Sequence, residues 1–222
     1  MSTMTLSSLE GLPVFLSASL PQALSGTPRA LDLQGFLVAF VRGLLAAGGR
    51  LVFGGHPAVT PLVQRVASDF GEGKVDLYQL TRFRDYAPAE VRAPQFVVHW
   101  VDSDSLEPMR DRMVDEAQAA VFVGGKTRDE APIGGAPGIC DEYRRFLRRH
   151  PGGPAYVLGL LGGEAERLAR ELENNGGEPN GLNAKERRVL HHTTDVDLAA
   201  SLVLADLRRL ARKSVEDLFE AG

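Results

Sequence analysis

The order of apolar runs and glycine turns predicts an α/β chain with a mostly parallel sheet covered by helices on both faces. Three observations predict it. Apolar runs of strand length alternate with stretches whose apolar residues recur every three or four positions. Paired glycines stand at the ends of two of those runs, at Gly54-Gly55 and Gly124-Gly125. No linker-like stretch divides the 222 residues, so one domain spanning 1–222 is expected, with residues 1–12 as a flexible lead-in.

Pro13 to Ser19 is a short apolar run ending in small hydroxyl residues, as a buried first strand turning into a site would be. Leu20 to Leu31 reads as loop. From Asp32 to Ala47, Phe36, Leu37, Phe40, Val41, Leu44 and Leu45 carry helical spacing; Asp32 suits the N-cap and Gly48-Gly49 the stop. Arg50 to Gly55 reads as a strand entering a glycine turn, Pro57 to Phe70 as the next helix, and Val75 to Leu80 as a third strand. Thr81 to Pro94 is expected to be surface loop. A strand over Gln95 to Val101 then leads into a helix over Leu106 to Ala119, with Ser105 placed to cap it.

Ala120 to Gly125 repeats the pattern of an apolar run delivering paired glycines. A Gly/Pro-rich loop, a helix from Ile139 to Arg149, a strand from Ala155 to Leu161 and a helix over Glu164 to Asn174 follow. Past a polar loop, a short strand near Arg188 to His192 and a long amphipathic helix from Asp195 to Phe219 complete the chain. That alternation specifies a Rossmann-like three-layer sandwich, in which ligands bind at the carboxyl ends of the strands.

Composition narrows the function classes. Lys and Arg number 25 against 29 Asp and Glu, so no basic excess exists to attract a nucleic-acid backbone. Cys140 is the single cysteine, which rules out internal disulfides and fits a reducing compartment. The first residues lack the form of a signal peptide, and no run reaches roughly 18 apolar residues. A cytoplasmic protein without membrane contact is expected.

The residues able to carry chemistry gather at the glycine turns. Gly54-Gly55-His56 lies between a strand and a helix start, where the backbone can approach an anion; Thr60 sits one turn further on. His56 either contacts a phosphate or closes the turn. Gly124-Gly125-Lys126 ends the later strand, and Gly134, Gly135 and Gly138 approach the helix carrying Asp141 and Glu142. The Gly-Lys-Thr string is not a P-loop, because the required upstream glycine is missing. Ser17 and Ser19 can donate to a ribose or phosphate, and Asp102 and Asp104 either bind ribose or cap the next helix. His191 and His192, adjacent in the expected strand, point to opposite faces and do not chelate one metal ion, so neither metal nor cofactor is expected.

Over Val14 to Phe146 these features resemble the SLOG superfamily, which includes the LOG-type nucleoside-monophosphate phosphoribohydrolases and nucleotide-sensing domains of bacterial conflict systems. The first glycine turn and its helix correspond to Gly54 to Phe70. The family motif P-G-G-x-G-T-x-x-E is similar to Gly134-Gly135-Ala136-Pro137-Gly138-Ile139-Cys140-Asp141-Glu142, with one residue inserted and Ile139 in place of the threonine. The family's Met-x-x-Arg segment is similar to Met109 to Met113, with Arg110 or Arg112 in the arginine's place. The resemblance implies that Glu142 would activate the ribose or its attacking water and that Arg110 or Arg112 would orient the substrate.

The altered motif favours binding over catalysis. The expected function is recognition of a nucleotide or nucleotide-derived ligand, such as ADP-ribose or another nicotinamide-cofactor product, in a bacterial response or anti-phage pathway. The alternative is a phosphoribohydrolase cleaving the N-glycosidic bond of a nucleoside 5'-monophosphate. A homo-oligomer or an effector protein would be the macromolecular partner.

Overall fold

The computed structural model describes residues 9–130 and 138–220. The strands are β1 (Pro13–Ser19), β2 (Arg50–Phe53), β3 (Val75–Leu80), β4 (Phe96–Val101), β5 (Ala119–Gly124) and β6 (Ala155–Leu158). They form one sheet in the order β4-β3-β2-β1-β5-β6, every neighbouring pair parallel. The helices are α1 (Pro28–Ala46), α2 (Thr60–Ala67), α3 (Glu107–Glu116), α4 (Gly138–Arg149), α5 (Gly163–Asn174), α6 (Ala184–His192) and α7 (Val196–Glu220).

Alternation along the strands divides the core in two. Val14 and Leu16 pack with Phe36 and Leu44 of α1, Val63 of α2, Leu190 of α6 and Val203 of α7. Phe15 points the other way, joining Phe122 to Met113 of α3, Phe146 of α4 and Leu168 of α5. This is the expected three-layer, Rossmann-like sandwich. The chain builds outward from β1 to β4, then returns to place β5 on the other side of β1. At such a reversal the connections leave in opposite directions and open a crevice at the carboxyl ends.

Three local expectations change. Helix α1 starts at Pro28, not Asp32, because proline's fixed φ suits the first helical position; Asp32 therefore caps nothing. The strand expected at Arg188 to His192 is the end of α6. Asn183 accepts from the Lys185 and Glu186 amides while Glu186 accepts from the Asn183 amide, a reciprocal cap that nucleates a helix. Finally, Leu9 is buried and donates its amide to the Ala47 carbonyl at 2.6 Å, so the flexible lead-in does not extend over residues 9–12.

Candidate functional site

A cleft of about 830 Å³ opens at the carboxyl ends of β1, β2 and β3, closed laterally by α3 and the start of α4. Ser17 and Ser19, Gly54 to His56, Lys126, Arg110, Gly138 and Glu142 all line it. The fold thus collects residues from five separate segments at the reversal in strand order.

At its polar end, Glu142 in the first turns of α4 is held from two sides. Ser17 Oγ donates to Oε2 at 2.5 Å and Arg110 Nε to Oε1 at 3.0 Å. Arg110 also reaches Asp141 at 3.2 Å, and Arg145 bridges Asp141 and Asp111 at 2.8 Å each. Gly138 makes room for this pairing, since a Cβ there would stand 3.0 Å from Arg110 Nη2. Burial pushes the Glu142 carboxyl above the usual carboxylate range, while Arg110 and the Ser17 hydroxyl pull against that shift. The result joins β1, α3 and α4 through one carboxylate.

The first glycine turn forms the adjoining wall. Gly55 adopts φ +67°, a left-handed conformation that disfavours a side chain. Gln79 Nε2, from the end of β3, donates to the Gly54 carbonyl at 2.9 Å, with the Gly55 carbonyl at 3.4 Å. Planar trans peptides then aim the Gly55 and His56 amides away from Gln79. His56 accepts the Ala58 amide at Nδ1, 3.2 Å away, so Nε2 carries the proton of the neutral ring. Burial, with the nearby Lys126 ammonium, holds its pKa below the ordinary histidine value. Lys126 makes no ion pair among the described residues, unlike the two cleft arginines.

Six expected site residues are placed elsewhere. The Gly124-Gly125 turn does not line the cleft: Gly125 donates to Ser19 O at 2.9 Å, accepts from the Glu164 amide at 3.1 Å, and lies against Ile139 and Gly163. Only Lys126, the next residue, reaches the opening. Thr60 is buried and its hydroxyl returns to the His56 carbonyl at 3.0 Å, within its own helix start. Arg112 is exposed outside the cleft, because two residues along a helix turn it about 200° from Arg110. Asp102 and Asp104 are also absent from the lining. Gly134 and Gly135 lie outside the described residues. Among those described, no group of three or more His, Cys, Asp and Glu residues could hold a metal ion.

Gln79, Arg145 and the cluster Phe83, Tyr86 and Leu106 line the cleft without having been expected to. The aromatic pair in a segment otherwise rich in Arg and Pro was the available signal.

Comparison with known proteins agrees with this architecture. Residues 33–186 match the model of the SLOG cluster3 family, a span containing Gly54, Arg110 and Glu142 but not Ser17. Among solved structures, the chain is similar to the X-ray structure of TM1055, a Northeast Structural Genomics Consortium target. The identity is 18% and the TM-score 0.52, over 79% of this chain and 88% of that one, a likeness that shows the fold alone. No curated protein sequence matches the chain. The family match runs from within α1 to the start of α6, and on that span this chain belongs to the SLOG cluster3 family.

Proposed function

We propose that this protein binds a nucleotide or nucleotide-derived ligand in the cleft, as a cytoplasmic sensor in a bacterial response or anti-phage pathway. Family membership supports nucleotide-related binding or catalysis in general; ADP-ribose and related nicotinamide-cofactor products are the ligands favoured here. Lys126, His56 and the amides of Gly55 and His56 would receive a phosphate, and Ser19 a neighbouring hydroxyl. The observation that favours sensing is that both oxygens of Glu142 are already engaged, by Ser17 and Arg110. A carboxylate used to join three elements is poorly free to activate a sugar or a water. A homo-oligomer or an effector protein would carry the signal onward.

The hydrolase reading rests on the same contact seen differently. Glu142 and Arg110, the pair that the resemblance assigns to catalysis, meet in the cleft at 3.0 Å. Calorimetry with AMP, ADP-ribose, NAD and cyclic nucleotides tests the binding proposal. One of these should bind to the wild type and bind roughly tenfold more weakly to Lys126→Met, the loss of one charge-assisted phosphate contact. Absence of binding by the whole panel would remove the nucleotide reading.

A further inference from the structure

The cleft also has an apolar lining that the polar contacts leave unused. Phe83, Tyr86, Pro88, Leu106 and Met109 belong to it, and none of them takes part in the charged cluster built around Glu142. Among the described residues, six large hydrophobic side chains remain exposed. Three of the six, Phe83 at 44%, Tyr86 at 84% and Leu106 at 38%, belong to this lining. Scattered apolar exposure is ordinary, whereas its concentration on a cleft wall marks a surface that is covered in use.

The wall is tethered from behind. The Arg82 guanidinium lies over the Phe83 ring at 4.9 Å and donates to the Asp104 carbonyl at 2.7 Å, tying the segment after β3 to the loop that carries Leu106. Arg84 lies over Trp100 of β4 at 5.3 Å, and Val91 is buried in the core. These anchors hold the backbone while the Phe83 and Tyr86 side chains stay exposed. Gln79 lines the same cleft. With its Nε2 donated to Gly54 O, its Oε1 remains an acceptor on the lining.

We propose that Phe83 and Tyr86, with Gln79, form a base-selective wall that stacks on the planar ring of the ligand and accepts a hydrogen bond from its edge. This rests on the nucleotide reading above and extends it: affinity comes from the ring as well as from the sugar phosphate. Aromatic faces bind any base by stacking, so the wall distinguishes ligands that carry a ring from those that lack one. The single Gln79 acceptor then favours rings with an amino or N–H edge.

The test compares AMP and ADP-ribose with ribose 5-phosphate, by calorimetry and ligand-observed NMR, on the wild type and on the double variant Phe83→Ala, Tyr86→Ala. Both positions are exposed, and a thermal melt verifies that the fold is kept. The wild type should prefer a ring-bearing ligand over ribose 5-phosphate. The double variant should lose that preference by roughly tenfold or more, as expected for removal of base stacking, with ribose 5-phosphate affinity unchanged. Equal weakening of all three ligands, or no weakening, overturns the wall while leaving the nucleotide reading in place. A change in sedimentation from dimer to monomer with unchanged affinity also overturns it, by giving the aromatics to a second copy of the chain. If the wild type binds none of the three, the nucleotide reading falls and the wall with it.

Discussion

Gly54-Gly55 and Gly124-Gly125 look alike in sequence, each pair closing a buried parallel strand, yet they do opposite things. The first borders the cleft, its carbonyls held by Gln79. The second is closed into the packing between β1, α4 and the start of α5, where the backbone of Gly163 meets it. A glycine announces that a side chain would be in the way, but what occupies the vacated space decides whether the turn binds a ligand or only another turn. Here the difference follows what packs over each turn, not strand position. The Gly54 turn is left open to the cleft, while the Gly124 turn, although β5 borders the reversal beside β1, is covered by α4 and α5.

Substitution should separate the two turns by the largest effect. At Gly125, φ is +89° and a Cβ would stand 2.6 Å from Ile139 Cγ1. Gly125→Val should therefore lower stability by on the order of 4 kcal/mol in chemical denaturation, from backbone strain and overpacking together. At Gly54 the atoms nearest a Cβ would be those of Met113 and Met109, at 3.4 and 3.5 Å, so Gly54→Ala should lose less than about 1 kcal/mol. Equal losses at the two turns would break the comparison. Gly55 is a poor probe of binding, because a Cβ there would run into Gln79 and Leu77 and strain the turn itself.

The same distinction explains what was legible in the sequence. The bounds of β1 and β3 follow from apolar runs ended by polar residues, and the three-layer fold follows from their alternation with helices. The pairing of Glu142 with Arg110 is foreshadowed by the family resemblance, although choosing Arg110 over Arg112 needed the helix phase. Residues that act across the sheet were not legible. Gln79 matters because β3 lies beside the β2 turn, and Thr60 does not because its hydroxyl turns back to His56. For the helix ending in His191 and His192, the legible signal was the Asn183 and Glu186 capping pair.

The closed half of the molecule also holds a titrating group that the cleft should not influence. His191 is buried; its Nε2 stands 3.0 Å from Glu178 Oε1 and its Nδ1 3.3 Å from Glu173 Oε1, which in turn meets exposed His192 at 2.7 Å. Burial alone would lower the His191 pKa, but the two carboxylates outweigh it and the net shift is upward. With the folded pKa above the unfolded value, the stabilisation is fully present below the ordinary histidine pKa and is lost as pH rises through the folded one. Melting temperature should fall across that window. Glu178→Gln should cost about 3 kcal/mol below it, as for a buried pair that loses one partner, and should flatten the fall. A ligand in the cleft that alters this pH dependence would show that the two halves are coupled after all.

A smaller stability effect than at Gly125 or Glu178 is expected in the cleft itself, and it bears on sensing against hydrolysis. Ser17→Ala leaves Glu142 Oε2 without its donor and should lower stability by roughly 1–3 kcal/mol. Burial already raises the Glu142 pKa, so its contribution is fully present below the ordinary carboxylate pKa and is lost as pH rises through the folded value. Removing the Ser17 donor raises that value further and moves the fall to higher pH. Glu142→Gln has no proton to lose, so its melts should lack the fall altogether. Release of free base from nucleoside monophosphates, followed by chromatography, supplies the functional half of the test. A sensor shows no release from the wild type, Ser17→Ala or Glu142→Gln. A hydrolase that needs the ionised carboxylate would show release that declines by roughly 10²–10⁴ in Glu142→Gln. Steady release by the wild type, lost in that variant, would replace sensing with catalysis and make the Ser17 and Arg110 contacts a means of tuning a reactive carboxylate rather than of holding three elements together.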